Sequence, residues 1–319
     1  MRRIMPRFYE DFHCIASACK DSCCIGWEID IDEKSATRYA AQEGEFGQRL
    51  KEEIVQEDGV KHFRLKEKER CAFLNEKNLC DLYIHMGEDA LCDICREHPR
   101  FYEWFGDRVE AGLGLCCEEA CRLLLSDEAL LTFVEGQDDA PDEDFEGDEA
   151  WLELLEDARE EAYAIFQDRT RTMDERMEDF MVLANSVQDE MDGFGPMDEY
   201  DIPVPTDEQL LALCGELEPI DESWTQRVER MKTAADKKVV IPDWQMEHAA
   251  VYLTYRWLLK AAFDGDVLGK ARLVCTFARL LELLLRKGGA ENMEEALRIL
   301  SKEIEYSEEN TQVCCAFEA

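Results

Sequence analysis

Cysteines are the residues of this chain whose type and spacing are best suited to chemistry. The sequence contains 15 cysteines, and 11 of them lie within the first 121 residues. The first group reads Cys14-x4-Cys19-x3-Cys23-Cys24. Thiols this close together can share one ion or cluster only if the backbone folds tightly around it. Because four thiols in a polar stretch are not a core pattern, we expect this group to bind metal.

A second set of thiols follows at wider and less regular spacing. Its members are Cys71, Cys80, Cys92, Cys95, Cys116, Cys117 and Cys121. The pair Cys92-x2-Cys95 suits metal knuckles and redox pairs alike, but no βαβ pattern surrounds it, which disfavours a thioredoxin-like domain. Cys92 can equally be a buried core residue, as can Cys116 and Cys121.

The scarcity of histidine restricts the type of metal that the sequence could bind. Only five histidines are present, and none forms a His-x3-His pair. Any site is therefore expected to be dominated by thiolates, which favours zinc or an iron–sulfur cluster. Adjacent residues cannot easily place both sulfurs on one metal, so Cys23 and Cys24 suit two different sites. A radical S-adenosylmethionine signature is excluded, because Gly26 stands where its third cysteine would be.

Composition bounds the class of protein. The chain has 319 residues, 36 Lys and Arg against 74 Asp and Glu, and a formal net charge of −38. Such acidity disfavours nucleic acid as a partner, because phosphate backbones are bound by basic surfaces. The sequence contains no run of about 18 apolar residues, so we expect no membrane-spanning helix. The first residues lack an apolar signal region, so we expect a cytoplasmic protein with reduced thiols.

The elements that must position the cysteines divide the chain in two. We expect a cysteine-rich metal domain over residues 1–134, an acidic linker at 135–149 and a helical domain at 150–319. The predicted fold is mainly α, with a small α+β N-terminal metal domain and a C-terminal helical array.

Local patterns predict the elements of both parts. In the first part we expect strands at 27–32, 60–65 and 108–115, a helical stretch at 32–55, a hairpin turn at 75–78, and helices at 87–96 and 118–125. In the second part we expect helices at 151–166, 173–191, 207–217, 223–235, 243–263, 267–285 and 293–304.

The cysteine motifs resemble a known family in their order along the chain. Phe12-x-Cys14, Cys19, Ser22-Cys23-Cys24, Gly26-Trp27 and Ile31-Asp32 resemble the opening of the flagellin lysine N-methylases, the FliB-like proteins. Three later elements resemble the same family: Cys71-Ala72-Phe73-Leu74 with Leu79-Cys80, Cys95-Arg96-x2-Pro99-Arg100-Phe101, and Cys117-Glu118-Glu119-Ala120-Cys121-Arg122-Leu123. The same cysteine framework occurs in a broader group of cysteine-rich zinc- or iron-chelating domains.

The resemblance implies a ligand set, and the departures from the family pattern limit it. Ala72 and Glu118 replace family prolines, and Cys121 replaces an alanine, while Cys92 and Cys116 lie beside family cysteines rather than on them. The metal ligands carried over are Cys14, Cys19, Cys23, Cys24, Cys71, Cys80, Cys95 and Cys117. Eight thiols suffice for two four-ligand sites or for one cluster with spare ligands.

The resemblance also implies an activity. It predicts a protein-lysine N-methyltransferase that uses S-adenosyl-L-methionine on flagellin and carries an iron–sulfur cluster of the 4Fe–4S type, with zinc as the alternative. A non-catalytic zinc- or iron-binding protein and an electron-transfer protein remain open. The residues do not identify a catalytic base. Glu119 and Arg122 are site candidates that equally suit helix capping or a salt bridge. Trp27 and Tyr83 could line a cofactor pocket or pack.

Overall fold

The computed structural model describes residues 1–20, 22–138, 144–195, 197 and 199–318. The strands are β1 (Arg2–Pro6), β2 (Ile54–Glu57), β3 (Val60–Phe63), β4 (Arg100–Phe105), β5 (Arg108–Leu113) and β6 (Phe133–Gln137). The helices of the first part are α1 (Glu33–Ala40), α2 (Gly44–Glu53), α3 (Asp81–Met86), α4 (Asp93–Glu97) and α5 (Glu118–Leu124).

Most of the remaining chain is helical. These helices are α6 (Glu149–Phe166), α7 (Met173–Met191), α8 (Asp207–Glu216), α9 (Trp224–Thr233), α10 (Asp243–Trp257), α11 (Ala261–Asp264), α12 (Val267–Arg286), α13 (Met293–Leu300) and α14 (Glu308–Ala316). The prediction of a mainly α protein with a C-terminal helical array is confirmed.

The described residues form two compact units. The cysteine-rich unit comprises residues 13–101 and 117–119, and the helical unit comprises 1–12, 102–116 and 120–319. The predicted acidic linker at 135–149 overlaps β6, and residues 139–143 lie outside the described residues. The division into 1–134, 135–149 and 150–319 stays a prediction.

In the helical unit, a four-stranded sheet accompanies the helices in the order β4-β5-β1-β6. Strand β1 pairs in parallel with β5 and antiparallel with β6. Helix α7 begins with a capping box in which the Thr172 hydroxyl accepts the Glu175 N–H, and the Glu175 carboxylate accepts the Thr172 N–H. Helix α12 buries 15 of its 20 residues and forms the centre of this unit's core.

The cysteine-rich unit has little regular structure. Among its described residues, the longest helix, α2, has 10 residues, and β2 and β3 form a two-stranded sheet. Its core includes Ile29, Tyr39, Leu50, Phe63 and Phe73, all almost fully buried. The rings of Phe63 and Phe73 meet edge to face with centroids 5.2 Å apart.

Several local predictions need correction. The strand at 27–32 is wrong in extent, because only Asp30 forms a bridge, with His62, before Asp32 turns to cap α1. The helical stretch at 32–55 is two helices, interrupted at 41–43. The segment after the turn at 75–78 was expected to form a strand, but it becomes α3.

The ends of two long helices also differ from prediction. Helix α10 ends at Trp257, and a short 3-10 turn leads into α11. Helix α13 ends at Leu300 and continues as a π-helical turn at Ser301–Glu305. This wider turn lets the buried Glu303 carboxylate accept the N–H groups of Ile220 and Asp221, at 2.8 and 2.9 Å.

Candidate metal centre

The first cysteine loop is fixed by its own backbone and by two neighbouring segments. A 3-10 turn at Ala16–Ala18 separates Cys14 from Cys19, and the Cys14 sulfur accepts the Ala16 N–H at 3.4 Å. The indole of Trp27 donates to the Cys23 carbonyl at 2.7 Å. Gly26 has φ +94°, a conformation that favours glycine, and its N–H donates to the Glu69 carbonyl.

Two later segments are hydrogen-bonded directly to this loop. The Cys71 N–H donates to the Cys24 carbonyl at 2.9 Å, which brings the second cysteine set beside the first. The Lys20 N–H donates to the Glu118 carboxylate at 2.8 Å, which ties the segment that carries Cys117 to residue 20. Thiols far apart in sequence are therefore brought into one unit.

One group of thiols interacts around Cys19. The pKa of the Cys19 thiol is raised to about 12, first by burial and then by the nearby Cys117, Glu118 and Cys14. The pKa of Cys23 is raised, first because its thiol donates a hydrogen bond to Cys24, with added effects from Cys14 and Cys117. Cys14, Cys19, Cys23 and Cys117 thus form a first group, the Cys19 group.

A second group of thiols interacts around Cys71. Burial raises the pKa of the Cys71 thiol to about 12, with smaller contributions from Cys24, Cys80 and Cys92. The pKa of Cys95 is raised, first because its thiol donates a hydrogen bond to Cys92, while the same bond lowers the pKa of Cys92. These five cysteines form the Cys71 group. Cys24 accepts the bond from Cys23, which lowers its pKa to about 7.

Polar side chains fix the backbone that carries Cys92 and Cys95. The guanidinium of Arg38 donates to the carbonyls of Ala90 and Leu91, at 2.9 and 3.3 Å. The buried Tyr39 hydroxyl donates to the Ala90 carbonyl at 2.6 Å. One oxygen of Asp32 caps α1, and the other accepts the Asp93 N–H at 3.0 Å where α4 begins. The segment is thereby held without long helices.

The segment that carries Cys71 and Cys80 is held in a similar way. The guanidinium of Arg49 donates to the Ala72 carbonyl and to the Asp81 carboxylate, both at 2.7 Å. The Asn75 amide donates to the other Asp81 oxygen at 2.8 Å. Arg49 and Asp81 are only partly buried. Through these bonds they fix both ends of the turn that lies between Ala72 and Asp81.

All eight thiols predicted as ligands lie in the cysteine-rich unit. Cys92 lies with them, although the family comparison left it out; its Cys-x2-Cys spacing to Cys95 was the signal in the sequence. Cys116 and Cys121 lie in the helical unit, where the buried Cys121 thiol donates to the Leu115 carbonyl. Cys214, Cys275 and Cys314 are buried there as well.

The cysteines fit a metal centre by their chemistry, although their described side chains do not converge on one point. Among the described residues, no three Cys, His, Asp or Glu side chains converge on the position of a single ion. The chemistry of the donors nevertheless fits a metal centre, because both groups consist of thiols alone and thiolates suit zinc and iron–sulfur clusters.

The other residues that the sequence offered as site candidates differ in their exposure to solvent. Trp27 and Tyr83 are 38% and 48% exposed, so neither is a core residue. Glu119 is buried, whereas Arg122 is exposed. Burial lowers the pKa of His98 to about 4, and its ring centroid lies 6.3 Å from that of Trp27. At neutral pH, His98 is therefore uncharged, a feature that sequence reasoning missed.

Within the described residues, no helix combines the length and apolar character needed to cross a membrane. No protein-family model matches the chain. No solved structure matches it either.

Curated proteins do match part of the chain. It is 28% identical over 136 residues to proteins named Lysine-N-methylase from Salmonella choleraesuis and Salmonella typhimurium. These matches cover 38% of this chain and 32% of each relative, so the chain spans about a third of their length. The Flagellar biosynthetic protein FliU of Salmonella muenchen is 29% identical over 128 residues, which is 38% of this chain and 76% of that protein.

These similarities support the resemblance of this chain to the FliB-like proteins.

Proposed function

We propose that this chain is an S-adenosyl-L-methionine-dependent protein-lysine N-methyltransferase that acts on flagellin in the cytoplasm. The observation that carries the proposal is the similarity to two proteins named Lysine-N-methylase. The flagellar name of the third relative supports flagellin as the methyl acceptor. The cysteines are not disulfide-bonded in the described residues, which suits a reducing compartment.

The proposal includes a metal centre in the cysteine-rich unit. Its proposed ligands are Cys14, Cys19, Cys23, Cys24, Cys71, Cys80, Cys95 and Cys117, with Cys92 as a further donor. An iron–sulfur cluster of the 4Fe–4S type is favoured over zinc, because eight family-matched thiols without a well-placed histidine suit a cluster, which accepts all-thiolate ligation.

The chemistry requires a neutral lysine, because only the unprotonated amine can attack the sulfonium methyl group. The methyl carbon moves to the lysine nitrogen, its bond to sulfur breaks, and the lysine loses one proton. Burial of the lysine or a nearby base would promote this loss. The net charge of −38 attracts both the cationic lysine and the sulfonium. Once bound, the centre would stabilise the fold around it.

Flagellin methylation tests the proposal directly. The protein, purified without oxygen, is incubated with flagellin and S-adenosylmethionine carrying a labelled methyl group, and flagellin peptides are analysed by mass spectrometry. We expect labelled methyl groups on lysine side chains. Cys23→Ser should reduce the rate strongly, whereas Cys315→Ser, at the partly exposed end of the helical unit, should not. Unlabelled flagellin with metal-loaded protein would contradict the activity.

A second candidate function is metal binding without catalysis, or electron transfer. The concentration of nine thiols in one small unit is the observation that favours it. It predicts a redox-active or metal-releasing protein that leaves flagellin unmodified in the same assay.

A further inference from the structure

An open groove lies on the helical unit, in residues that the proposed metal centre does not use. Its cavity volume is about 650 Å³, and it runs between the start of α7, the segment before α10 and one face of α12. Its apolar lining includes Met173, Met177, Met246 and Ala278. Met177, Met246 and Ala278 are buried, so the groove has a preformed apolar floor.

One wall of the groove is a stretch of main chain without partners. Residues 238–241 run without a turn, and none of their N–H or C=O groups makes a hydrogen bond within the described residues. The stretch is anchored at both ends, because the Lys237 N–H donates to the Arg286 carbonyl and the Pro242 carbonyl accepts the Gln245 N–H. Val240 is 84% exposed. An anchored, unpaired and apolar stretch of this kind is a template for another strand.

The charges around the groove nearly cancel, unlike those of the whole chain. Arg279 pairs with Asp174 at 3.0 Å, and Arg286 pairs with Asp236 at 2.8 Å. Two cations at the end of the unpaired stretch, Lys237 and Lys238, have no carboxylate within ion-pair distance among the described residues. In a chain of net charge −38, this end can therefore receive a carboxylate of a partner.

We propose that this groove binds an extended segment of the methyl-acceptor protein, which adds as a strand to residues 238–241. The inference rests on the proposed function and names where its protein substrate docks. Main-chain groups of the segment would pair with the free groups of this stretch, which spans about 13 Å. Alternate apolar side chains would pack on the methionine floor, and a carboxylate of the segment would face Lys237 and Lys238.

Hydrogen exchange provides a test that does not depend on activity. Flagellin is the probe, added in excess to the intact protein, and exchange of the amides at 238–241 is followed with and without it. Without flagellin, these unpaired amides should exchange rapidly. With flagellin, we expect at least about ten-fold slower exchange at alternate residues, because only every second N–H of a strand points to the neighbour.

Proline variants test the same contact by methylation kinetics. The double variant Val239→Pro/Val240→Pro removes two successive N–H groups, which point to opposite sides of an extended chain, so one of them faces the docked segment. Neither N–H makes a hydrogen bond within the described residues, so the fold should not be weakened. We expect KM for flagellin to rise about ten-fold with little change in kcat or in the melting temperature. Val204→Pro is the matched control, because Val204 is also exposed and without backbone hydrogen bonds but lies outside the groove.

The outcomes separate this inference from the proposed function. Methylation without protection of 238–241 overturns the docking site and leaves the methylase intact. Protection without methylation supports the docking site and overturns the methylase. An equal KM for the double variant and the Val204→Pro control also overturns the docking site, and a lack of both binding and methylation overturns both proposals.

Discussion

The two units of this protein reach a defined structure by opposite means. The helical unit buries long apolar helices, and α12 alone buries 15 of its 20 residues. Among its described residues, the cysteine-rich unit has no helix longer than 10 residues, and side-chain hydrogen bonds of Arg38, Arg49 and Asp32 hold its loops. A small core with short elements usually needs a disulfide or metal to be stable. The comparison indicates that metal should matter to the first unit alone.

The largest expected effect is removal of a proposed ligand. Cys71→Ser should lower metal content and unfold the cysteine-rich unit, because metal binding contributes about 10 kcal/mol or more to the folding of small metal domains. The helical unit should keep its own unfolding transition. Metal analysis and calorimetry of the variant provide the check, with Cys315→Ser as control. Equal loss of metal in both variants would remove the distinction between the units.

The next effect concerns the helical unit. The buried Arg159 donates to both oxygens of the buried Glu110, at 2.6 and 2.8 Å. Glu110→Ala should destabilise this unit by about 3–5 kcal/mol, because it leaves a buried guanidinium uncompensated. Urea unfolding measures the change. Lys232→Ala, which breaks an exposed pair with Glu229, should cost less than about 1 kcal/mol. Loss of metal in Glu110→Ala would contradict the independence of the two units.

A smaller effect is expected from a side-chain hydrogen bond that holds the loops of the cysteine-rich unit without involving a proposed metal ligand. Tyr39→Phe removes the buried hydrogen bond to the Ala90 carbonyl and should destabilise the cysteine-rich unit by about 1 kcal/mol. Tyr83→Phe changes an exposed phenol and should have no effect. Thermal unfolding of the metal-loaded variants distinguishes them. An unchanged melting temperature in Tyr39→Phe would show that this hydrogen bond does not stabilise the loops.

A further effect is a dependence of stability on pH in the helical unit. Burial raises the pKa of Glu303 from 4.5 to about 7, although two backbone N–H groups favour its ionised form. The folded state therefore binds the proton more tightly than the unfolded state, and the contribution of Glu303 falls as pH rises from about 4.5 to 7. Glu303→Gln should flatten the stability profile across this range. An identical profile in the variant would argue against a raised pKa.

Sequence periodicity predicted the helical unit well, because long helices such as α6 and α7 carry their own buried face and side-chain N-cap. Helix α7 begins and ends at the predicted residues, Met173 and Met191. The π-helical turn at Ser301–Glu305 could not be predicted, since it depends on distant partners such as Ile220 for Glu303. The polar α14 was missed, since its sequence has no apolar periodicity.

The cysteine-rich unit was predicted by residue type rather than by secondary structure. The resemblance to the FliB-like proteins named eight of the nine cysteines that lie in this unit. Their division into groups depends on tertiary hydrogen bonds, such as that from Cys71 to Cys24. The strand expected at 27–32 failed because Asp32 serves as a helix cap instead of continuing a ladder. The sequence motifs therefore name the candidate thiols, and long-range contacts give their arrangement.

The most direct test of the central claim is the metal content of the protein purified without oxygen. Iron, acid-labile sulfide and zinc are measured in the wild type and in Cys23→Ser, with Cys315→Ser as control. The account predicts brown wild-type protein that bleaches with dithionite and contains iron and sulfide in similar amounts, and loss of both in Cys23→Ser alone. Colourless protein that methylates flagellin fully and holds neither iron nor zinc would contradict a metal centre in the cysteine-rich unit.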